Sequence, residues 1–274
     1  MQNFVFRESN FDLNNSQQYS LSIQADLDGF SFVIQQNQTG QIVLIHTESF
    51  MLSHYGILAR KIQELTEKYD MLKGDFDNIQ VYLPGSQTGV FPDDFHLEKE
   101  IRNSLLEKKS LKNRTKTVSS VTILPGYQLC WLIESTLKET IIECYPKVRI
   151  THIAVPLIHY FANLHNNADK NWYCYLSDKE IFFLGFDKGQ LCFFNKFSCI
   201  EEQDVLYYLM AISRVPKMEN ATVTITGHQE RKDLMIKYCF DNGITAVPHN
   251  PVLRLPALPK SSPQIPSNLI PLLI

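Results

Sequence analysis

Residues 19–47, YSLSIQADLDGFSFVIQQNQTGQIVLIHT, contain three β-rich runs in which apolar and polar side chains partly alternate. Two breaks separate the runs, at Asp28-Gly29 and at residues 37–40, and both carry residues that hairpin turns prefer. The stretch therefore predicts a meander of three antiparallel strands. Asp28-Gly29 is interpreted as a plain two-residue turn, because Asp-Gly is among the strongest short hairpin signals.

A second stretch of the same kind occupies residues 172–197, WYCYLSDKEIFFLGFDKGQLCFFNKF. Its three runs are broken at residues 177–179 and at residues 187–189. The second turn repeats the first meander closely, since Gly-Gln-Ile at 40–42 matches Gly-Gln-Leu at 189–191. The sequence therefore predicts two meanders.

A helix and a short strand are predicted after each meander. Apolar residues recur at helical spacing in segments 55–69 and 205–215, which indicates two amphipathic helices. Short β-rich segments follow at 79–83 and 222–226. The chain is thus predicted to contain an internal duplication of one β-β-β-α-β unit.

Three elements are predicted between the repeats. Residues 128–144 follow a Pro-Gly break and are interpreted as a helix, residues 148–155 as a strand, and residues 156–163 as a helix that begins with proline. These elements would complete the first lobe.

After Pro248 the chain is rich in proline, which neither ladders nor helices accommodate, so an extended tail is predicted there. The tail is also apolar, which favours packing against the body or a partner. The predicted domains are a first lobe at 1–165, a second lobe at 166–250 and a packed tail at 251–274.

Composition excludes several classes of function. The chain has 274 residues, 44% of them hydrophobic, and a net charge of −3, so no strong field draws it to nucleic acid or an anionic membrane. The N-terminus has no signal-peptide pattern and no run of 18 apolar residues occurs, so a cytoplasmic protein without a membrane span is predicted. The six cysteines are predicted to be reduced core thiols. His152, His159 and His165 do not share one helical face, so no metal site is predicted.

The predicted architecture is similar to the actin, Hsp70 and sugar-kinase superfamily. More narrowly, the chain resembles an uncharacterised bacterial family of unknown function with an actin-like ATPase fold. The stretches that carry this resemblance are LDGFSF at 27–32, YPKVRITHIAVPLIHYF at 145–161, IEEQDVLYYLM at 200–210 and LIPLLI at 269–274. The resemblance implies an α/β fold with mixed sheets in two lobes, a duplicated ribonuclease-H-like core, and no transferable activity.

The superfamily offers three ligand motifs, of which the first is a D-x-G-T hairpin. Its glycine lets backbone N–H groups approach phosphate. Aligned on Asp26, this chain has D-L-D-G, which places Asp28 at the glycine position and Gly29 at the hydroxyl position. A carboxylate about 4 Å from a phosphate charge would repel it by roughly 4 kcal/mol unless Mg²⁺ intervened.

The other two motifs also depart from the superfamily pattern. The second should be glycine-rich, but residues 177–180, which include Asp178, contain no glycine. The third is a strand that runs into paired glycines beside adenine. In VTITGHQERKDL, residues 223–234, Gly227 is present and His228 replaces the second glycine. An ordinary strand-to-helix turn would look the same, so both interpretations remain open.

Two functions follow from these motifs. The leading hypothesis is a pseudo-ATPase, an actin-like body with no catalytic residue and no cofactor that binds or assembles with an unknown protein or peptide. The alternative is a divergent ATP- and Mg²⁺-dependent phosphotransferase or ATPase, in which Asp26 and Asp28 hold the metal. If a nucleotide binds, the predicted ligand-binding residues are Asp26, Asp28, Gly29, Asp178, Gly227 and His228.

Overall fold

The computed structural model of the chain describes residues 5–9, 11–85, 87–93, 116–164, 170–177, 180–199, 202–214, 221–251 and 269–273. The chain divides into two compact units whose main segments are Met1–Val155 and Pro156–Leu253. Each unit has its own mixed β-sheet. The lobe boundaries proposed from the sequence remain predictions, and tail residues 252–268 lie outside the described residues.

The strands in chain order are β1 (Val5–Arg7), β2 (Tyr19–Asp26), β3 (Gly29–Gln36), β4 (Ile42–Ser49), β5 (Asn78–Leu83), β6 (Thr88–Pro92), β7 (Lys116–Leu124), β8 (Tyr127–Glu134), β9 (Arg149–His152), β10 (Asn171–Leu176), β11 (Glu180–Asp187), β12 (Gln190–Ser198), β13 (Val223–Gly227) and β14 (Ala246–Pro248). The helices are α1 (Tyr55–Lys68), α2 (Ser135–Cys144), α3 (Ala154–Leu164), α4 (Glu202–Ser213), α5 (Gln229–Asp241) and α6 (Ile270–Leu273). Short 3₁₀ helices lie at Leu13–Gln18 and Asp70–Leu72.

The first unit confirms the first predicted meander. Strands β2, β3 and β4 pair antiparallel, and the complete sheet has the order β1-β4-β3-β2-β5-β9 with β5 and β9 parallel to β2. Helix α1 buries Leu58, Ile62 and Leu65, which recur three or four residues apart and so share one face. The helical spacing in the sequence therefore predicted this helix correctly.

The predicted helix at 128–144 was wrong over its first half. Residues Tyr127–Glu134 form β8, the central strand of a separate antiparallel sheet of order β6-β8-β7, and α2 begins only at Ser135. Five consecutive residues of β8, from Leu129 to Ile133, are buried. A continuous apolar run fits a buried helix or a doubly covered strand equally well, which is why periodicity misled here.

The second unit confirms the second predicted meander. Strands β10, β11 and β12 pair antiparallel, and β13 and β14 extend the sheet in parallel to give the order β12-β11-β10-β13-β14. Its core joins buried side chains from these strands to α4 and α5, among them Trp172, Phe183, Leu209 and Met235. Both units therefore contain a meander, a helix and then a strand parallel to the first strand of the meander.

The end of the chain corrects one expectation. Residues 270–273 form the short helix α6, although the proline content had excluded a helix. Pro271 lies in its first turn, where a missing backbone N–H leaves no hydrogen bond unmade. Leu269, Ile270 and Leu273 are buried.

The six cysteines form no disulfide bond in the structure; four of them are buried, and Cys144 and Cys192 are half-buried. Burial raises the pKa of the Cys130 and Cys239 thiols to about 11. These two thiols are therefore protonated at neutral pH and are poor nucleophiles. Within the described ranges, no helix combines the length and the apolar character that crossing a membrane requires.

Candidate functional site

The first candidate motif is the tip of the hairpin between β2 and β3. Asp26 pairs with Gly29, so the turn residues are Leu27 and Asp28 and the predicted Asp28-Gly29 turn is displaced by one position. Gly29 instead belongs to the ladder, where it also pairs with Ser49, and its φ is not in the left-handed region. A Cβ on Gly29 would lie 3.2 Å from the Glu48 carbonyl oxygen, so the neighbouring strand accounts for this glycine.

Three backbone groups at this tip are bonded within the chain. The Leu27 amide donates to Asp26 Oδ1 over 2.6 Å. The carbonyl oxygens of Leu27 and Asp28 accept hydrogen bonds from the amides of Leu52 and Phe50, at 2.7 and 3.2 Å. A phosphate needs open backbone N–H groups, whereas here a carboxylate of the chain already occupies the Leu27 donor.

The second candidate motif is the hairpin between β10 and β11. Its predicted residue Asp178 lies outside the described residues. On either side of it, the Ser177 amide donates to the Glu180 carbonyl and the Glu180 amide donates to Ser177 Oγ, both over 3.0 Å. The Glu180 carboxylate is 2.6 Å from Lys196 Nζ. The amides of Ser177 and Glu180 are therefore satisfied inside the protein, and the negative charge is paired.

The third candidate motif is the turn from β13 into α5. Gly227 has φ +113°, and a Cβ on it would lie only 2.0 Å from the Leu176 carbonyl oxygen. The His228 amide donates to that same oxygen over 2.9 Å. Strand pairing therefore requires glycine at position 227 whether or not a ligand binds. His228 Nδ1 is buried and has no hydrogen-bond partner in the described part of the chain.

The structure brings the predicted residues together in two groups. Asp26, Asp28 and Gly29 share one hairpin of the first unit. Gly227 and His228 lie beside the carboxyl end of β10 in the second unit, next to the second hairpin. Each group is thus local to its own sheet.

Two buried cations in the first turn of α5 were missed from the sequence. The Arg231 guanidinium donates to the Ser177 carbonyl oxygen, and Lys232 Nζ donates to Asn250 Oδ1. Lys232 is only 2% exposed. Burial lowers the pKa of Lys232, and the charge of Asp233 opposes that shift in part. The available signal was an Arg-Lys pair at a helix N-terminus, where the helix dipole disfavours positive charge.

The Lys232 ammonium also affects a neighbouring histidine. Burial, together with the charge of Lys232, lowers the pKa of His249. His249 Nε2 lies 2.8 Å from the Tyr160 hydroxyl. The segment after β14 is therefore held by hydrogen bonds from His249 and Asn250 to residues that also lie in the second unit.

The described residues contain no group of three or more His, Cys, Asp or Glu side chains that could hold a metal ion. Asp26 and Asp28 supply two carboxylates at one tip, fewer than the oxygen ligands that Mg²⁺ takes from protein and substrate together. A metal at this tip would therefore depend on oxygen atoms of the substrate or water.

Comparison with known proteins identifies the fold. The family model described as "Protein of unknown function (DUF3822)" matches residues 8–240. The chain is similar to a Bacteroides thetaiotaomicron protein with actin-like ATPase fold and unknown function, at 21% identity and a TM-score of 0.78 over 88% of this chain and 94% of that one. The predicted actin-like ATPase fold is thereby confirmed.

More distant structures show weaker likeness. The PilM-PilN type IV pilus biogenesis complex matches at 8% identity and a TM-score of 0.55, over 84% of this chain and 88% of that one. The ethanolamine utilization protein EutJ from Carboxydothermus hydrogenoformans matches at 8% identity and a TM-score of 0.48, over 84% of each chain. No curated protein matches the sequence.

Proposed function

We propose that this chain, which belongs to the DUF3822 family of proteins of unknown function, is a pseudo-ATPase that serves as a binding or assembly module. The observation that carries the proposal is the 2.6 Å hydrogen bond from the Leu27 amide to the Asp26 carboxylate. It places a negative charge on a donor that a phosphate would need.

Energetics favour this function over phosphoryl transfer. Phosphoryl transfer depends on positioned backbone donors, a metal and charge complementarity. A carboxylate about 4 Å from a phosphate charge costs roughly 4 kcal/mol at an effective dielectric of 20, which is about a thousandfold in affinity. Asp26 and Asp28 both stand at the tip, so ATP would have to displace or neutralise two such groups.

The module is proposed to act on an unknown protein or peptide partner in the cytoplasm of a bacterium. The likeness to the PilM-PilN structure supports such a role, since that structure is a complex in which this fold occurs. The shared strand order of the two sheets supports an internal duplication. In both hairpins, backbone amides are bonded within the chain.

A divergent ATP- and Mg²⁺-dependent phosphotransferase is the second candidate. It is favoured by one observation, the buried Nδ1 of His228 at the start of α5, which has no partner among the described residues and which a ligand atom could satisfy. Under this alternative, Asp26 and Asp28 hold Mg²⁺ at the first hairpin.

Isothermal titration with ATP and MgCl₂ distinguishes the two candidates. The pseudo-ATPase is expected to give no saturable heat. Micromolar binding that is lost in the Asp26→Ala, Asp28→Ala double variant would favour the phosphotransferase and overturn the proposal. The matched control is Asp75→Ala with Asp77→Ala, which removes two carboxylates with the same spacing outside the hairpin.

A further inference from the structure

A groove lies between the N-terminal halves of α1 and α2 in the first unit. It has a volume of about 470 Å³, and four of its lining residues have small side chains: Gly56, Ala59, Thr136 and Thr140. Nearer to their C-terminal ends the two helices are in contact, since Thr66 Oγ1 is 3.3 Å from the hydroxyl of Tyr145, which follows α2. The groove is therefore open because the side chains between the N-terminal halves are too small to fill it.

The side chains around the groove give it a positive charge. Arg60 lines the groove and is exposed. The acidic residue one turn further along α1, Glu64, lies 3.7 Å from Lys61, and Arg60 makes no ion pair with any described residue. No Asp or Glu of the described ranges lines the groove. An occupant that brings a carboxylate to Arg60 therefore complements the charge of the groove.

The groove also accepts an apolar group. Ile57 lies three residues before Arg60 on α1, lines the groove and is 36% exposed. A cavity of about 150 Å³ is large enough for a benzene ring, so 470 Å³ holds one aromatic side chain with space left for a carboxylate. A guanidinium attracts the face of an aromatic ring as well as a carboxylate. The groove therefore fits an aromatic side chain that has an acidic side chain next to it.

The end of α5 in the second unit exposes such a pair of side chains. Phe240 is 83% exposed, the highest value among the exposed large apolar side chains of the described residues. Asp241, the last residue of α5, is also exposed. It makes no ion pair within the described ranges, although Lys237 lies one turn before it. Phe240 and Asp241, called the α5 tip below, therefore offer an uncovered ring and an unpaired carboxylate at one place.

We propose that the groove between α1 and α2 binds the α5 tip of a second copy of this chain. The Phe240 ring lies in the groove against Ile57, and the Asp241 carboxylate pairs with Arg60. The helix ends act in the same direction, because the C-terminal end of α5 carries negative partial charge and the first turns of α1 and α2 carry positive partial charge. The proposal deepens the assembly role in the proposed function and rests on it.

The contact joins two different surfaces of the chain. Each copy presents one groove and one α5 tip, so the association is head-to-tail and can continue beyond two copies. One aromatic side chain and one ion pair bury less than the roughly 1,200 Å² of a standard interface, so the association is expected to be weak. The Phe240 ring is expected to supply most of its affinity, as buried aromatic side chains do in other interfaces.

Sedimentation of the full chain over about 5 to 500 μM tests the proposal. The average mass of the wild type is expected to rise reversibly with concentration. Phe240→Ala should weaken the association roughly thirtyfold, and Arg60→Asp, which sets two carboxylates against each other, roughly tenfold or more. The matched controls are Tyr207→Ala, at a side chain that is 69% exposed on α4, and Arg214→Asp, at an exposed position after α4. Both controls should associate as the wild type does.

Two complementation experiments identify the contact. Phe240→Ala keeps an intact groove and Arg60→Asp keeps an intact α5 tip, so a mixture of these two variants should form a one-to-one complex that does not grow further. In a single chain, Arg60→Asp combined with Asp241→Arg exchanges the two charges and should restore association to within about threefold of the wild type.

A wild type that stays monomeric up to about 500 μM would overturn the proposal. Association that survives Phe240→Ala would overturn it as well, and so would a mixture of the two variants that stays monomeric. Since Arg60 and Phe240 are both exposed, both variants are expected to fold; if Arg60→Asp does not, the loss of association in Phe240→Ala decides. Nucleotide titration is a separate measurement, so failure of the pseudo-ATPase proposal is distinguishable from failure of this one.

Discussion

Replacing Gly227 with alanine tests why this position holds glycine. The added Cβ would lie 2.0 Å from the carbonyl oxygen and 2.8 Å from the carbonyl carbon of Leu176. Leu176 ends β10, which is held between β11 and β13, so its backbone cannot retreat without breaking the sheet. A non-glycine residue at positive φ costs about 1–2 kcal/mol, and overlap with fixed backbone should raise the loss above about 4 kcal/mol.

Gly243→Ala provides the matched control. Gly243 has φ +71°, and apart from its two chain neighbours no atom of the described residues lies within 4 Å of the position that its Cβ would take. That variant should lose only about 1–2 kcal/mol, the cost of the backbone conformation alone. Urea unfolding can be followed by fluorescence of Trp172 in a Trp131→Phe background, since the chain has two tryptophans and Trp172 lies in the core of the second unit. Equal losses of unfolding free energy in the two variants would refute the steric argument and would favour a role for Gly227 in nucleotide binding.

Three further predictions concern groups whose pKa the fold shifts. Burial lowers the pKa of Lys232, so between that lowered value and 10.5 the unfolded chain binds one more proton than the folded chain, and stability should rise with pH across this window. Urea titrations of Lys232→Met should lack the rise. Those of the control Lys237→Met, at an exposed position, should keep it. Burial also lowers the pKa of His46, so stability should fall as the pH drops below 6.5 toward the folded value. Thermal unfolding of His46→Phe should show a shallower decline of stability with falling pH. An unchanged slope would contradict the assignment. Burial alone would raise the pKa of Glu48, but hydrogen bonds, led by that from Lys68, lower it overall. The contribution of Glu48 to stability is therefore complete above pH 4.5 and is lost as the pH falls through the folded value. In urea unfolding, Glu48→Gln should cost about 1 kcal/mol at pH 7 and little at pH 3.

Turn residues and the spacing of apolar side chains along the sequence correctly predicted the two meanders and helix α1. The meanders followed from turn residues and alternating side chains, and α1 followed from apolar residues on one face. Strand β1 could not be predicted, because three residues, Val5–Arg7, become a strand only by pairing with β4 from a distant part of the chain. The first half of segment 128–144 was misassigned because an unbroken apolar run has no period.

The candidate site was predictable in composition but not in its bonds. The carboxylates at the first tip and the missing glycines at the second were visible in the sequence. The hydrogen bond from the Leu27 amide to Asp26, and the position of the turn, depend on strand register. The contact between Arg231 and Ser177 joins residues far apart in sequence, so no local pattern reveals it.

The pseudo-ATPase proposal depends on hairpin donors that are already bonded inside the protein. The most direct test follows the assigned backbone amide resonances of Leu27, Ser177 and Glu180 by NMR while ATP and Mg²⁺ are added to about 10 mM, a concentration at which even millimolar binding is nearly saturated. The predicted result is that all three resonances stay at their positions in the ligand-free protein. Saturable shifts of these amides at both hairpins would contradict the proposal and establish the chain as a nucleotide-binding protein.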